Sequence, residues 1–205
     1  MPAHLSFQMS GFANKTLPDA VLDRGRRGDM RAHAEIYRVF SAPVYTLAAR
    51  MTGSTAAADD ILQETFLEVI RSLGQFRGHA SIATWIRRVA VSKSLMHLRS
   101  AWQRRATLFR DLGEAEAAAI EPRSPGEAKA VQDNHDLERA LARLPDTSRV
   151  VVLLYDVEGY SHAEIAELMG MSVSFSKSQL SRARARLRKL LGPDACPGVR
   201  SGQAG

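Results

Sequence analysis

The sequence predicts an all-α protein made of two small helical domains joined by a flexible linker, the second domain containing a helix-turn-helix. Three observations lead there. From Asp19 to about Gln103 the apolar residues recur at helical spacing, and Val, Ile and Thr never settle into the alternation of half-buried strands. Between about Thr107 and Asp136 no sustained apolar face appears, while Ala, Glu, Pro and Gly dominate and the charge turns acidic through Asp111, Glu114, Glu116, Glu121 and Glu127. A structureless stretch of that length is uncommon inside one compact domain and marks a join between two. Helical spacing then returns until Gly192 and Pro193 stop it. The expected division is an N-terminal extension over 1–18, a first domain over 19–106, an acidic linker over 107–133, a second domain over 134–192 and a disordered tail over 193–205.

Each element has its own signal. Asp29 can cap a helix carrying Ile36, Tyr37, Phe40, Val44 and Leu47, which Pro43 must kink or split. After Gly53 a second helix begins near Ser54. Its apolar face is Leu62, Phe66, Val69 and Leu73, widened by Ile61, Thr65 and Ile70, and Asp60, Glu64 and Glu68 stack at i, i+4 on another face. Gly74 to Ser81 reads as a loop. Ile82, Trp85, Ile86, Val89, Leu95 and Leu98 then mark a helix rich in Arg and Lys. In the second half Leu137, Leu141 and Leu144 lie on one segment and Val150 to Val157 on the next. Ser161-His162-Ala163-Glu164 has the S-x-x-E form of a capping box, so a helix with the apolar face Ile165, Ala166, Leu168 and Met169 starts there. Gly170 permits a tight turn, and Ser172 offers an N-cap to a last helix that carries Lys177, Arg182, Arg184, Arg186, Arg188 and Lys189.

Composition narrows the partner. An apolar fraction of 45% is that of a globular protein, and a formal net charge of +6 over 205 residues favours a polyanion, nucleic acid before anionic membrane. Cys196 is the only cysteine, which excludes an intrachain disulfide and a cysteine-based zinc site and fits a reducing cytoplasm. The N-terminus lacks the pattern of a signal peptide, and the strongest apolar run, Val150 to Tyr155, is far too short to insert in a membrane. Asp59, Asp60, Glu64 and Glu68, with His79 and His97 elsewhere, have no ligand spacing such as H-E-x-x-H. No metal, cofactor or catalytic residue is expected.

Two basic helices carry the nucleic-acid signal. A short turn followed by a basic helix fits the major groove, where residues near its start meet base edges and later cations meet phosphates. Ser174, Phe175, Ser176, Lys177 and Gln179, with Ser172 at the cap, are the candidates for the first role, and Arg182 and Arg184 lead the second. The run from Arg182 to Lys189 contains no acidic residue, so it gains nothing from i, i+4 pairing and repels itself, which argues against an ordinary solvated face. In the first domain Arg87, Arg88, Lys93, Arg99, Arg104 and Arg105 are interleaved with Trp85, His97 and Trp102. That combination suits single-stranded or partly opened nucleic acid, because cations track the backbone while aromatic faces take unstacked bases. Trp85 is equally compatible with a place in the core, given its spacing from Ile82, Ile86 and Val89.

Taken together these segments resemble the extracytoplasmic-function sigma factors of bacterial RNA polymerase, from about Asp19 to Leu191. Ala58 to Phe66 is similar to the family's A-E-D-L-x-Q-E-x-F segment, which implies docking on polymerase through Asp59, Asp60, Gln63 and Glu64. Phe76-Arg77-Gly78 and Trp85-Ile86-Arg87-Arg88-Val89-Ala90 resemble its F-R-G and W-L-x-R-I-A block. This implies capture of the non-template single strand at the minus-ten element by Phe76, Arg77, His79, Ser81, Trp85, Arg88, Ser92, Lys93, Met96 and Arg99. Leu144-Pro145, Glu158-Gly159-Tyr160-Ser161 and Glu164-Ile165-Ala166 are similar to signatures that precede a helix reading the duplex minus-thirty-five element. Departures are present. Ser92 and Met96 stand where the family usually has Asn and Asp, and Ser174-Phe175-Ser176-Lys177-Ser178-Gln179-Leu180 replaces G-T-V-K-S-R-L, with Gln179 a candidate bidentate partner for adenine. The resemblance implies core RNA polymerase, promoter DNA and an anti-sigma factor as partners, with a monomer when free or a one-to-one complex with the inhibitor. A self-sufficient dimeric helix-turn-helix regulator leaves Asp60 to Phe66 and the basic helix of the first domain unexplained. A metal-dependent nucleic-acid enzyme lacks a ligand set, and an adaptor bound to an acidic regulator overlaps the main reading.

Overall fold

The computed structural model describes residues 10–78, 80–112 and 135–191, with the backbone alone for 104–112 and 135–136. It divides into two compact units, whose described parts are 10–112 and 135–191. Helices and short connections make up both, with no strand among the described residues.

The first unit contains α1 (Asp19–Arg26), α2 (Met30–Thr52), α3 (Thr55–Ser72), a 3₁₀ turn (Leu73–Gln75) and α4 (Ile82–Leu112). Asp29 caps α2 by accepting from the Arg31 amide at 2.8 Å, Gly53 ends it in the left-handed region at φ 67°, and Ser54 caps α3 by accepting from the Ala57 amide. Ile36, Phe40, Val44, Leu47 and Met51 of α2 meet Ile61, Phe66 and Val69 of α3 and Ile86, Ala90, Val91, Leu95 and Leu98 of α4 in one core. Where α2 and α3 leave the turn, Ala48, Ala57 and Ala58, small side chains that let the backbones approach, pack together with Ile61. The buried stripe of α3 runs through Ala57, Ala58, Ile61, Thr65, Phe66 and Val69; Phe66, Val69, Ile61 and Thr65 are inside as expected, while Leu62 is half-buried and Ile70 exposed, so the face is turned toward the alanines.

The structure also refines the expected helix interiors and boundaries. Of the two outcomes expected at Pro43, splitting does not occur: the residue lies buried within the continuous α2, with Gly11 packed over its ring so that a Cβ on Gly11 would sit 3.4 Å from Pro43 Cβ. The residues just before α1 also belong to the core, because Phe12 is 4% exposed and stacks on Phe40 with ring centroids 6.4 Å apart. Helix α4 continues to Leu112, past the point where the linker was expected to begin. The remainder of that linker, the first nine residues and the tail with Cys196 lie outside the described residues.

The second unit contains α5 (His135–Ala142), α6 (Asp146–Val152), a π-helical turn (Leu153–Val157), α7 (His162–Met169) and α8 (Val173–Leu191). The expected capping box is present: the Ser161 amide donates to Glu164 Oε2 at 2.8 Å and the Glu164 amide to Ser161 Oγ at 3.2 Å. Gly170 closes α7 at φ 65°, and Ser172 Oγ accepts from the Phe175 amide at 3.1 Å to start α8. Leu141, Leu144, Val150 to Leu154, Ile165, Leu180, Ala183 and Leu187 form the core. The segment expected as one helix over 150–157 ends in the π turn, whose extra residue changes the phase and brings Tyr155 and Asp156 against α7 and α8.

Candidate nucleic-acid and polymerase interfaces

Helix α3 buries its apolar stripe against α2 and α4, and what remains outward is a ridge of Asp59, Asp60, Gln63 and Glu64, all exposed. No ion pair holds these carboxylates among the described residues. Leu67, 52% exposed, and Ile70, 42% exposed, continue the ridge as uncovered apolar surface. Glu68, grouped with the others by spacing, is withdrawn from it: it accepts from Ser72 Oγ at 2.9 Å and lies 3.8 Å from Lys93 Nζ of α4. Acid next to exposed apolar side chains suits a basic protein surface better than nucleic acid.

The loop before α4 and the outer side of α4 form a second surface. Phe76 is half-buried between Trp85, at 5.2 Å between ring centroids, and the Arg26 guanidinium, 5.8 Å from its centroid. Arg26 also donates to the Phe76 carbonyl at 3.0 Å and to Asp23 at 2.7 Å, so an α1 residue fixes the start of this surface. Trp85 is thus half-buried against Phe76, resolving the choice between core filler and surface aromatic in favour of a packed rim. From Trp85, the residues Arg88, Ser92, Met96 and Arg99 follow at helical spacing down one exposed side, Met96 at 51% exposure. Arg77 is exposed beside them. Ser81 is the cap of α4, bonded to the Thr84 amide at 3.1 Å and to Thr84 Oγ1 at 2.9 Å, and Lys93 is half-buried in its pair with Glu68. His79 lies outside the described residues.

Helix α8 is the third surface, and here the expected set divides. Ser172, Ser174, Phe175, Lys177 and Arg182 are exposed. Ser176 and Gln179 are not: Ser176 is fully buried with Oγ 2.9 Å from His162 Nδ1, and Gln179 is 8% exposed with its amide oxygen accepting from Ser148 Oγ at 2.7 Å. The expectation that Gln179 turns its amide toward adenine is therefore corrected; helical phase turns it toward α6. Arg184 is also committed, through Nε to Asp156 at 3.2 Å, a second contact from its Nη2 and the Tyr155 ring beneath it. The cationic run does have an acidic partner, supplied from 28 residues away rather than from within the helix.

Behind that helix His162 stacks on Tyr155 with centroids 4.4 Å apart. Burial pushes its imidazole below its ordinary value of 6.5, and the charges of Lys177 and Arg184 push the same way against Asp156. Beside α8 an open groove of about 430 Å³ lies between Leu144 to Ser148 and the side chains of Gln179, Arg182 and Arg186. No cluster of His, Cys, Asp or Glu able to hold a metal occurs among the described residues. Sequence reasoning missed the Ser148–Gln179, Asp156–Arg184 and His162–Ser176 pairs and the part of Arg26, all contacts between distant positions with no local signal.

Comparison with known proteins follows the same division. Residues 36–104 match the family model described as Sigma-70 region 2, and residues 134–187 match Sigma-70, region 4. The ECF RNA polymerase sigma factor SigM of Mycobacterium tuberculosis is 34% identical over 165 residues, covering 80% of each chain. The ECF RNA polymerase sigma factor SigW of Bacillus subtilis is 26% identical over 175 residues, covering 81% of this chain and 92% of its own. Among solved structures, the sigma factor RpoE of Bartonella quintana, crystallised with the anti-sigma factor NepR, aligns with a TM-score of 0.53 at 21% identity over 77% of this chain and 95% of its own.

Proposed function

The chain belongs to the extracytoplasmic-function sigma factors, alternative sigma factors that direct RNA polymerase in transcription initiation, and on that premise we propose how its surfaces divide the work. The first unit docks on core polymerase through Asp59, Asp60, Gln63 and Glu64, with Leu67 and Ile70 supplying the apolar part of the contact. The single observation that carries this is the unpaired acidic and apolar ridge of α3 on a chain whose net charge is +6.

Opened promoter DNA lies along Phe76, Arg77, Trp85, Arg88, Ser92, Met96 and Arg99, where cations meet the backbone and the Phe76–Trp85 rim offers aromatic faces to an unstacked base. His79 would join them. Ser81 and Lys93 act through α4, as its cap and its tie to α3. The second unit reads duplex upstream through the exposed start of α8, with Ser172, Ser174 and Phe175 near bases and the flanking cations Lys177 and Arg182 on phosphate. Ser176, Gln179 and Arg184 hold that helix in place.

The protein works as a regulatory subunit without chemistry of its own, in the cytoplasm, and an anti-sigma factor holds it in a one-to-one complex when it is silent. No described helix is long and apolar enough to cross a membrane. The domain division proposed is 10–112 for the first domain and 134–192 for the second.

Mixing the purified protein with sigma-free core polymerase tests the reading. Wild type co-elutes and gives discrete run-off products, Asp60→Arg abolishes co-elution, and Gln63→Ala weakens it. Binding to duplex DNA with no association with polymerase would replace this reading by a self-sufficient regulator.

A further inference from the structure

The buried residues of α8, Ser176, Gln179, Leu180, Ala183 and Leu187, define its inner side. Helical geometry then sets Ser174, Ser178, Ser181 and Ala185 along the outermost line, with Phe175 and Arg182 on one flank and Lys177 on the other. The outermost line is all small side chains, so the helix can approach a surface closely between two cationic flanks. Phe175 does not fit that pattern. It is 42% exposed, and its ring has no aromatic partner among the described residues. The cap from Ser172 fixes its backbone in the first turn, and Ser178, one turn on, folds its hydroxyl back to the Ser174 and Phe175 carbonyls at 3.0 and 3.3 Å. The hydroxyl beside Phe175 has thus spent its proton on the helix and leaves the ring uncovered.

In the major groove of DNA the one apolar feature on a base edge is the C5-methyl group of thymine. We propose that Phe175 is a sequence-reading residue that packs on the C5-methyl group of one thymine in the upstream duplex element. The proposal rests on the reading above that α8 enters the major groove, and charge supports the same occupant, since Lys177 and Arg182 stand on either side for the phosphates. It also answers the loss of Gln179 as a base reader. With that amide held by Ser148, discrimination near the start of α8 passes from a hydrogen-bonding pair to an apolar contact.

The test removes one methyl group at a time. Promoter fragments with a randomised upstream element are selected for run-off by the reconstituted holoenzyme, and the best is remade with deoxyuridine at each thymine in turn. At one position wild-type affinity falls about fourfold, the worth of one buried methyl group, while the Phe175→Ala holoenzyme binds both duplexes equally. Lys177→Ala, the control, weakens binding to every duplex and keeps the fourfold ratio. A selected element without thymine, no methyl-sensitive position, or the same sensitivity in Phe175→Ala overturns the proposal. So does a Phe175→Ala protein that binds core polymerase more weakly yet, once assembled, keeps the fourfold preference, because Phe175 is then a protein contact. Absence of any discrete initiation by wild type is a different failure, that of the sigma reading itself.

Discussion

His162, half-buried, and Thr65, fully buried, are polar groups with opposite consequences. The imidazole of His162 is held between Tyr155, Ser176, Lys177, Arg184 and Asp156, and its proton affinity is lowered by burial first and by the two cations second. The unfolded chain therefore binds that proton more readily than the folded one. Its contribution to stability is complete above the ordinary value of 6.5 and is lost as pH falls through that value toward the lower folded one. Melting the full chain between about pH 8 and pH 5 should show an acid-side loss of stability that is smaller in His162→Gln; an identical pH profile would remove His162 as its source. Thr65 is fully buried in the first unit with no hydrogen-bond partner for Oγ1. Replacing it by Val, similar in shape, removes an unsatisfied hydroxyl and should raise stability by about 1 kcal/mol. An unchanged urea midpoint would mean that water satisfies the group.

At the scale of elements, the helix ends were the most legible part of the chain. Asp29, Ser54, Ser161 and Ser172 all cap where their sequence positions require, because a cap is a contact within three residues and depends on little else. Ser161→Ala removes the side-chain cap, which is one half of the box that starts α7, and keeps the half made by its own amide; it should cost the second unit about 1 kcal/mol, read as a lower thermal midpoint, and Ser161→Thr should restore most of it. Helix interiors were less legible. The stripe of α3 came out rotated because Ala57 and Ala58 have too little apolar bulk to weigh in a periodicity, although close packing against α2 buries both. Phe12 falls in the expected extension because a lone aromatic in a short turn has no period at all, yet it completes the core against Phe40. The π turn at 153–157 escaped for another reason: one inserted residue leaves an apolar run looking the same.

For the whole molecule, a net charge of +6 makes promoter binding sensitive to salt, and the structure says which cations should carry that sensitivity. Arg182 is exposed, whereas Arg184 is tied to Asp156 and Tyr155. Arg182→Ala should lower the slope of log affinity against log salt by about one and leave stability unchanged. Arg184→Ala should do the reverse, costing about 1–3 kcal/mol of stability through Asp156 while barely changing the slope. Equal slope changes in both variants would show that the Asp156 pair opens on DNA.

What the sequence by itself determined is whatever depends on neighbours along the chain: the all-α class, the two helical regions and the acidic join, the caps, the basic turn-helix segment and the motifs shared with a family. The tertiary structure alone decided which of the residues on those motifs face outward. Ser176, Gln179 and Arg184 carry the chemistry of DNA contact by type, and spacing could not turn them inward. Their partners, His162, Ser148 and Asp156, lie between 14 and 31 residues away, and a buried polar group is held by whichever donor or acceptor the packing brings near it. Local sequence sets a helix and its phase; only the neighbouring helices decide which side of that phase is inside.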